Sequence, residues 1–264
     1  VGSNPTLSEE YQMQTDNEQR LYKDLARYFP IITPPEDYLE EGEYFAQVIK
    51  NTSPIESKTL LNLGCGAGSD DFSLKKYFKV TGVDLSPEML KLARKLNPDV
   101  KYLQGDMRSV RLKKKFDAVA VFDAINYMLS KEDLRSLFAT AHEHLKPGGL
   151  LILVIEVTPQ NFRQNLTRSS VHQKDDIEVV FIENIFDPEP ADPTYEGTYI
   201  FLIREKGKLK IETDRHVCGM FSLNTWFDLL QEAGFKVNKL DFNVTDPEAR
   251  NYPLLACVKP LEGE

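Results

Sequence analysis

The stretch "TLLNLGCGAGSDDF", residues 59–72, decides how this chain is read. A short apolar run from Leu60 to Leu63 gives way to three glycines, Gly64, Gly66 and Gly68, set two apart, and then to polar residues. An apolar run this short, bounded by a turn, reads as a strand covered on both faces. Glycines at a strand's end let the backbone approach a ligand with no Cβ in the way. In sheets of parallel strands, ligands bind beyond the carboxyl ends, where the strand order reverses.

Working outward, strand and helix alternate. Residues 69–78 read as a helix and "KVTGVD" (79–84) as a second strand. In "SPEMLKLARKLN" Ser86 is the cap, Pro87 the first helical residue, and Met89, Leu92, Ala93 and Leu96 form one face. "VKYL" (100–103) and "DAVAVF" (117–122) are the third and fourth strands. Ser130 and Asp133 make a capping box before a stripe of Leu134, Leu137, Phe138, Ala141 and Leu145. "KPGG" (146–149) stops that helix and "LLILVI" (150–155) is the fifth strand. This alternation predicts an α/β fold with a doubly wound sheet.

From 157 to 221 the pattern changes. Ile200 and Leu202, then Leu209 and Ile211, alternate as antiparallel strands do, with "EKGK" between them as a hairpin turn. A small antiparallel sheet is therefore expected after the fifth strand. In "SLNTWFDLLQEAGF" Ser222 is the cap, Trp226, Leu229, Leu230 and Ala233 the stripe, and Gly234 the stop. Two last strands are expected near 235–242 and 254–259. Upstream, "DNEQRLYKDLARYF" puts Leu21, Leu25, Tyr28 and Phe29 on one helical face. "TPPEDYLEEGEYFAQVIK" offers Thr33 as cap, Pro34 as first helical residue, and Phe45, Val48 and Ile49 as a stripe. The chain thus divides into N-terminal helices, 1–54, and an α/β domain, 55–264, that carries the insertion 157–221.

Composition narrows the function classes. The 264 residues are 41% hydrophobic and 28% charged, as suits a globular domain with an elaboration. No apolar run approaches the roughly 18 residues that span a bilayer, and the first residues carry no basic-then-apolar leader pattern. Cys65, Cys218 and Cys257 are too scattered for a disulfide framework or zinc site, so no metal and a reducing cytoplasm are expected. A formal charge of −9 weighs against a nucleic-acid partner, which needs a basic face. "RLKKK" (111–115) reads as a solvated loop.

Three ligands compete for the glycine turn. A dinucleotide needs G-x-G-x-x-G with an acid about 20 residues on. Asp84 meets the second condition, but Ser69 stands where the last glycine should be. A phosphate-binding P-loop needs a closing Gly-Lys-Ser/Thr, which is missing. S-adenosylmethionine (SAM) has no phosphate to cradle and suits the tighter G-x-G-x-G.

"LNLGCGAG", "VTGVDLSPEML", "YLQGDMR", "FDAVAVFDAINYM" and "LKPGGLLIL" occur in the order and at the spacings of class I SAM-dependent methyltransferases, which the chain resembles over residues 55–156. The resemblance implies a Rossmann-like, seven-stranded sheet whose last strand is antiparallel. Carried over by position, it gives Gly64, Gly66 and Gly68 to the methionine part, with Cys65 packing inside the turn. It gives Asp84 to the ribose hydroxyls, Leu85 and Met107 to the adenine, and Asp106 to its amino group. Phe122 and Asp123 would lie near the methionine amino group. Asn62 departs from the pattern, which often has an acid there.

Around this frame, "EDYLEEGEYFAQVI", "IEVTPQNF" and "DRHVCGMFSLNTWFDLLQEAGF" resemble nucleotide-linked amino-sugar N-methyltransferases and related small-molecule enzymes. In that picture the N-terminal helices form a lid from which Tyr22 reaches the cofactor and Tyr38 the substrate. Tyr127 stands where such enzymes often have histidine. With Glu156 and His216 it is a candidate for catalysis and substrate contact. The expected reaction is N-methylation of an amine or amino sugar. O-methylation and a non-catalytic SAM-binding regulator are the alternatives. The inserted sheet offers edges for a homodimer.

Overall fold

The computed structural model describes residues 19–242, 244–245 and 252–263. Residues 16–18 of the first expected helix lie outside them. From Arg20 to Ile32 the chain does not form one continuous helix. Two 3-10 turns, Arg20–Tyr22 and Ala26–Tyr28, lead into a single helical turn, α1 (Phe29–Ile32). Pro30 explains part of this: it has no N–H to bond residue 26, and its ring would strike that carbonyl in a continuing helix. Lys23 leaves helical geometry altogether (φ −125, ψ −110), and the Leu21 amide bonds instead to Asp214 Oδ2 at 2.7 Å. The apolar face survives the loss of helix, with Leu21, Leu25 and Tyr28 all buried.

The next boundary shifts as well. Thr33 does not cap the following helix; its Oγ1 donates to the Phe29 carbonyl and closes α1. Pro34, extended because a proline follows it, precedes a 3-10 turn at Pro35–Tyr38 that runs into α2 (Leu39–Thr52).

The main sheet takes its parallel strands from β1 (Thr59–Leu63), β2 (Lys79–Asp84), β3 (Lys101–Gln104), β4 (Phe116–Val121) and β5 (Leu145–Val154). Between them lie α3 (Ser69–Leu74), shorter than expected, α4 (Pro87–Leu96) and α5 (Lys131–His144). Ser86 and Ser130 cap α4 and α5 by accepting the Met89 and Asp133 amides. "KPGG" does not stand outside the strand. β5 starts at Leu145, and its pairing with β4 shifts register between Phe116 and Ala118. That bulge admits Gly148 at φ +77.

The insertion forms a separate antiparallel sheet, β6 (Leu166–Lys174), β7 (Ile177–Phe186), β8 (Thr194–Glu205) and β9 (Lys208–Gly219), in that order. Then come α6 (Leu223–Glu232), capped by Ser222, β10 (Lys236–Leu240) and β11 (Leu254–Val258). The main sheet runs β10-β11-β5-β4-β1-β2-β3, with β11 antiparallel to both neighbours. This is the seven-stranded order that the resemblance implies. The order reverses between β1 and β4, which opens a crevice at their carboxyl ends.

Strand alternation divides β1 between two layers. Leu61 and Leu63 pack with Phe138, Leu230 and Trp226 under α5 and α6. Leu60 packs with Phe45, Ile49 and Leu74 under α2 and α3. The N-terminal segment lies on the inserted sheet, where Leu21, Leu25, Tyr28 and Ile31 meet Val179, Phe201 and Ile203.

Candidate active site

The glycine turn folds back over the end of β2. The Gly64 and Cys65 amides both donate to the Val83 carbonyl, at 2.8 and 3.0 Å, and the Gly66 amide donates to Asp84 Oδ2 at 2.8 Å. Gly64 sits at φ +76, and a Cβ there would lie 2.2 Å from that of Ala124. No other residue fits this position. Beyond the turn opens a cavity of about 900 Å³ between the carboxyl ends of the main strands, the N-terminal segment and the inserted sheet.

Most expected residues meet there. Gly64, Cys65, Gly66, Asp84, Leu85 and Met107 line the end near β2 and β3. Phe122, Asp123 and Tyr127 line it beyond β4, Glu156 beyond β5, and Tyr22 and Tyr38 close it from the N-terminal side. Leu85 is 64% exposed, an apolar side chain left at the cavity mouth. The Cys65 thiol is pushed well up by burial and nearby carboxylates, so it stays a packing group.

Three expectations are corrected. Asn62 shares its side of β1 with Leu60 and does not line the cavity. It is buried, and its Nδ2 donates to Asp71 Oδ1 at 2.9 Å. Burial raises the Asp71 carboxyl to about 6 against the opposing pull of Asn62 and Tyr102. Gly68 shapes the turn from behind: at φ +79 its Cβ position is 2.6 Å from the Tyr102 hydroxyl. His216 is fully buried and does not itself line the cavity; it hydrogen-bonds Tyr127, which does. Asp106 lines the mouth, but Arg108 already occupies both its oxygens, at 2.6 to 3.1 Å, and holds its carboxyl low despite some burial.

Asp84 is differently placed. Oδ2 accepts from Gly66 N and Oδ1 from Ser86 N, each at 2.8 Å. Each oxygen keeps lone-pair capacity toward the cavity. Burial raises this carboxyl against the opposing pull of the Ser86, Gly66 and Leu85 amides.

The far wall is acidic and phenolic. Glu156 accepts from Asn126 Nδ2 at 3.0 Å. Burial and the neighbouring Asp123, with which it shares a hydrogen bond, push its carboxyl well above the usual range. Asp123 is open to the cavity, yet protein surrounds it closely enough to raise its carboxyl too. Asp70, at the start of α3, is raised well above normal by burial and then by Asp123. A cationic ligand among these groups would favour their ionised forms. Sequence reasoning did not find Asp70, Tyr195, Tyr199 or Cys218, all of which line the cavity. Asp70 stood in the quoted turn itself, but the other three come from the insertion.

Residues 60–149 match the methyltransferase domain family. The chain is a SAM-dependent methyltransferase. It is similar to a Streptomyces venezuelae dTDP-3-amino-3,4,6-trideoxy-alpha-D-glucopyranose N,N-dimethyltransferase, 29% identical over 208 residues, covering 78% of this chain and 86% of the relative. It is also similar to the crystal structure of Streptomyces venezuelae DesVI, with a TM-score of 0.78, 28% identity, and 90% and 97% of the two chains covered. The fold matches the sugar N-methyltransferase KedS8 of a Streptoalloteichus species, TM-score 0.79 over 98% of each chain at 21% identity. Among the described residues, no helix of this methyltransferase is long and apolar enough to cross a membrane.

The donor set fits SAM. Vicinal ribose hydroxyls need two adjacent acceptors, which Asp84 has. A purine needs an apolar platform, which Leu85 and Met107 offer at the mouth. A sulfonium and an ammonium need acceptors and negative charge, supplied by Asp70 at the start of α3 and by Asp123 beyond β4.

Proposed function

We propose that this methyltransferase transfers the methyl group of SAM to the amine of an amino sugar. The observation that carries the reading is the cavity wall opposite the glycine turn. There carboxylates and phenols stand around the space where an acceptor would meet the methyl group. An amino sugar offers an ammonium for Glu156 and Asp123, and hydroxyls that donate to carboxylates and bond tyrosines in either direction. Likeness to a dTDP-amino-sugar N,N-dimethyltransferase over most of the chain supports the same acceptor class.

In this reading Gly64, Cys65 and Gly66 lie along the methionine part, with Phe122 backbone and Asp123 toward its ammonium. Asp84 takes the ribose hydroxyls, and Leu85 and Met107 the adenine. Asp106 reaches the adenine amino group only in competition with Arg108. SAM brings a methyl group already activated for displacement. The protein's part is to align acceptor and donor in line and exclude water. An amine arrives protonated, so a proton must also leave.

The test is product release from SAM, by mass spectrometry, with dTDP-3-amino-3,6-dideoxyglucose and its hydroxyl counterpart as acceptors. S-adenosylhomocysteine with a mono- or dimethylated amine is expected only from the amino sugar. Turnover of the hydroxyl compound alone would overturn the N-methylation reading. A homodimer through the inserted sheet is part of the proposal, because among the described residues β6 pairs only with β7. Light scattering that gives the mass of a single chain at micromolar concentration excludes it.

A further inference from the structure

We propose that Tyr127 takes the proton of the acceptor's ammonium group, with His216 and Asp214 behind it fixing the direction in which that proton moves. The proposal rests on the amino-sugar reading and adds a proton route to it. Four side chains from three parts of the chain form one hydrogen-bonded line. Tyr22 and Tyr127 hydroxyls are 2.7 Å apart, Tyr127 is 2.6 Å from His216 Nδ1, and His216 Nε2 is 2.7 Å from Asp214 Oδ2.

The line has one polarity. Asp214 also accepts the Leu21 and Arg215 amides. Burial works against its charge, but His216 and backbone donors outweigh it and keep the carboxyl low. An ionised carboxylate only accepts, so Nε2 of His216 carries its proton. In the neutral ring Nδ1 is then an acceptor, and Tyr127 must donate to it. Having used its one proton, Tyr127 can only accept from Tyr22. Every donor therefore points away from the cavity. The lone pairs left on Tyr22 and Tyr127 face it, and both residues line it. That end suits an ammonium donor.

Proton transfer follows the same line. The acceptor's N–H bond breaks as an O–H bond forms on Tyr127, whose own proton passes to His216 Nδ1. The imidazolium is balanced by Asp214. The freed nitrogen lone pair forms the N–C bond while the methyl C–S bond breaks and its electrons stay on sulfur. After product release the proton returns along the line to water. Burial raises Tyr127 well above a normal phenol, so a free tyrosinate is disfavoured and the two transfers are concerted.

The imidazole's ring neighbours are Tyr22, Tyr127 and Tyr199, at centroid distances of 5.3, 5.7 and 4.5 Å. Cys218 lies two residues further along β9, on the same face. Beyond Asp214, Arg20 is paired with Asp24 and Glu212. Once His216 is protonated, both ring nitrogens donate, Tyr127 turns its proton toward the cavity, and an ammonium meets a donor.

The test combines nitrogen-15 NMR of the full chain with kinetics on dTDP-3-amino-3,6-dideoxyglucose. Among the four histidines, His216 is recognised by its response to Tyr127→Phe. It is expected as the Nε2–H tautomer at neutral pH. Tyr127→Phe should lower kcat about a hundredfold, while S-adenosylhomocysteine stabilises it as it does the parent. Asp214→Asn, which sets an amide against a backbone donor whichever way it turns, should loosen the hold on that tautomer and lower kcat. An Nδ1–H tautomer overturns the polarity. Unchanged kcat in Tyr127→Phe overturns the route and leaves the amine reading standing. No turnover by the parent sinks that reading and the catalytic role together.

Discussion

Asp84→Ala is expected to abolish the thermal stabilisation that S-adenosylhomocysteine gives the parent protein. The carboxylate stands at the tip of β2 with one oxygen on Gly66 N and the other on Ser86 N, each at 2.8 Å. This fixes its plane and aims its remaining lone pairs at the cavity. Two adjacent ribose hydroxyls can each donate to one oxygen. Hydrogen bonds to a charged group contribute about 1.5–3 kcal/mol each. Losing both weakens binding at least a hundredfold, because every 1.4 kcal/mol is about tenfold. Ligand at about 100 times its Kd stabilises by about 2.7 kcal/mol, and nearly all of that disappears. The substitution also releases the Gly66 amide, so the turn loses one of the bonds that hold it to β2. Melting curves with and without ligand, checked by calorimetric titration, read the effect directly. A stabilisation in Asp84→Ala equal to the parent's would place the ribose elsewhere.

The sequence carried the main sheet because its signals are local. Ser86, Ser130 and Ser222 each announce a helix as a cap, marked further by Pro87 after the first and by Asp133 three positions after the second. The apolar strands need no partner to be recognised. Asp84 and the glycine turn come with that frame. What sequence reading missed is set by longer-range contacts. Pro30 lay just past the amphipathic window that suggested a helix, and Leu21 bonds to Asp214 across 193 residues. Asn62 and Gly68 sat inside the motif, and motif membership says nothing of which way a residue faces. Strand parity puts Asn62 with Leu60, away from the ligand, and could have been read in advance. His216 was noticed for its chemistry, but its place behind Tyr127 depends on β9 running past the turn after β4. The same pairing brings Tyr195, Tyr199 and Cys218 into the cavity, and no local pattern marks them. Arg108, two residues from Asp106, is a neighbour that the motif position alone does not reveal as a competitor.

Gly219→Ala tests the contact on which that arrangement depends. Gly219 ends β9, and a Cβ there would lie 1.9 Å from the Met128 carbonyl oxygen and 2.9 Å from Phe221 Cε2. A backbone oxygen cannot rotate aside, so strand or turn must move. The turn is Asp123–Tyr127, directly before Met128. It carries Asp123, Asn126 and Tyr127 into the cavity, while β9 carries His216 and Cys218. Overpacking of this kind costs about 1–3 kcal/mol and sometimes more, and here the upper end is expected because the clash is with backbone. At about 2–4 °C per kcal/mol for a chain of this size, the melting temperature falls by roughly 6–12 °C. The displacement also stretches the 2.6 Å contact between Tyr127 and His216, so methyl transfer to an amine should fall by more than S-adenosylhomocysteine stabilisation does. Gly207→Ala is the comparison. It has nothing within 4 Å of its Cβ position but sits at φ +77 in the β8–β9 hairpin, so it carries only the strain of a left-handed residue, about 1–2 kcal/mol. It should leave transfer to the amine unchanged. Equal melting of the two variants would mean that β9 and the turn after β4 are not in close contact.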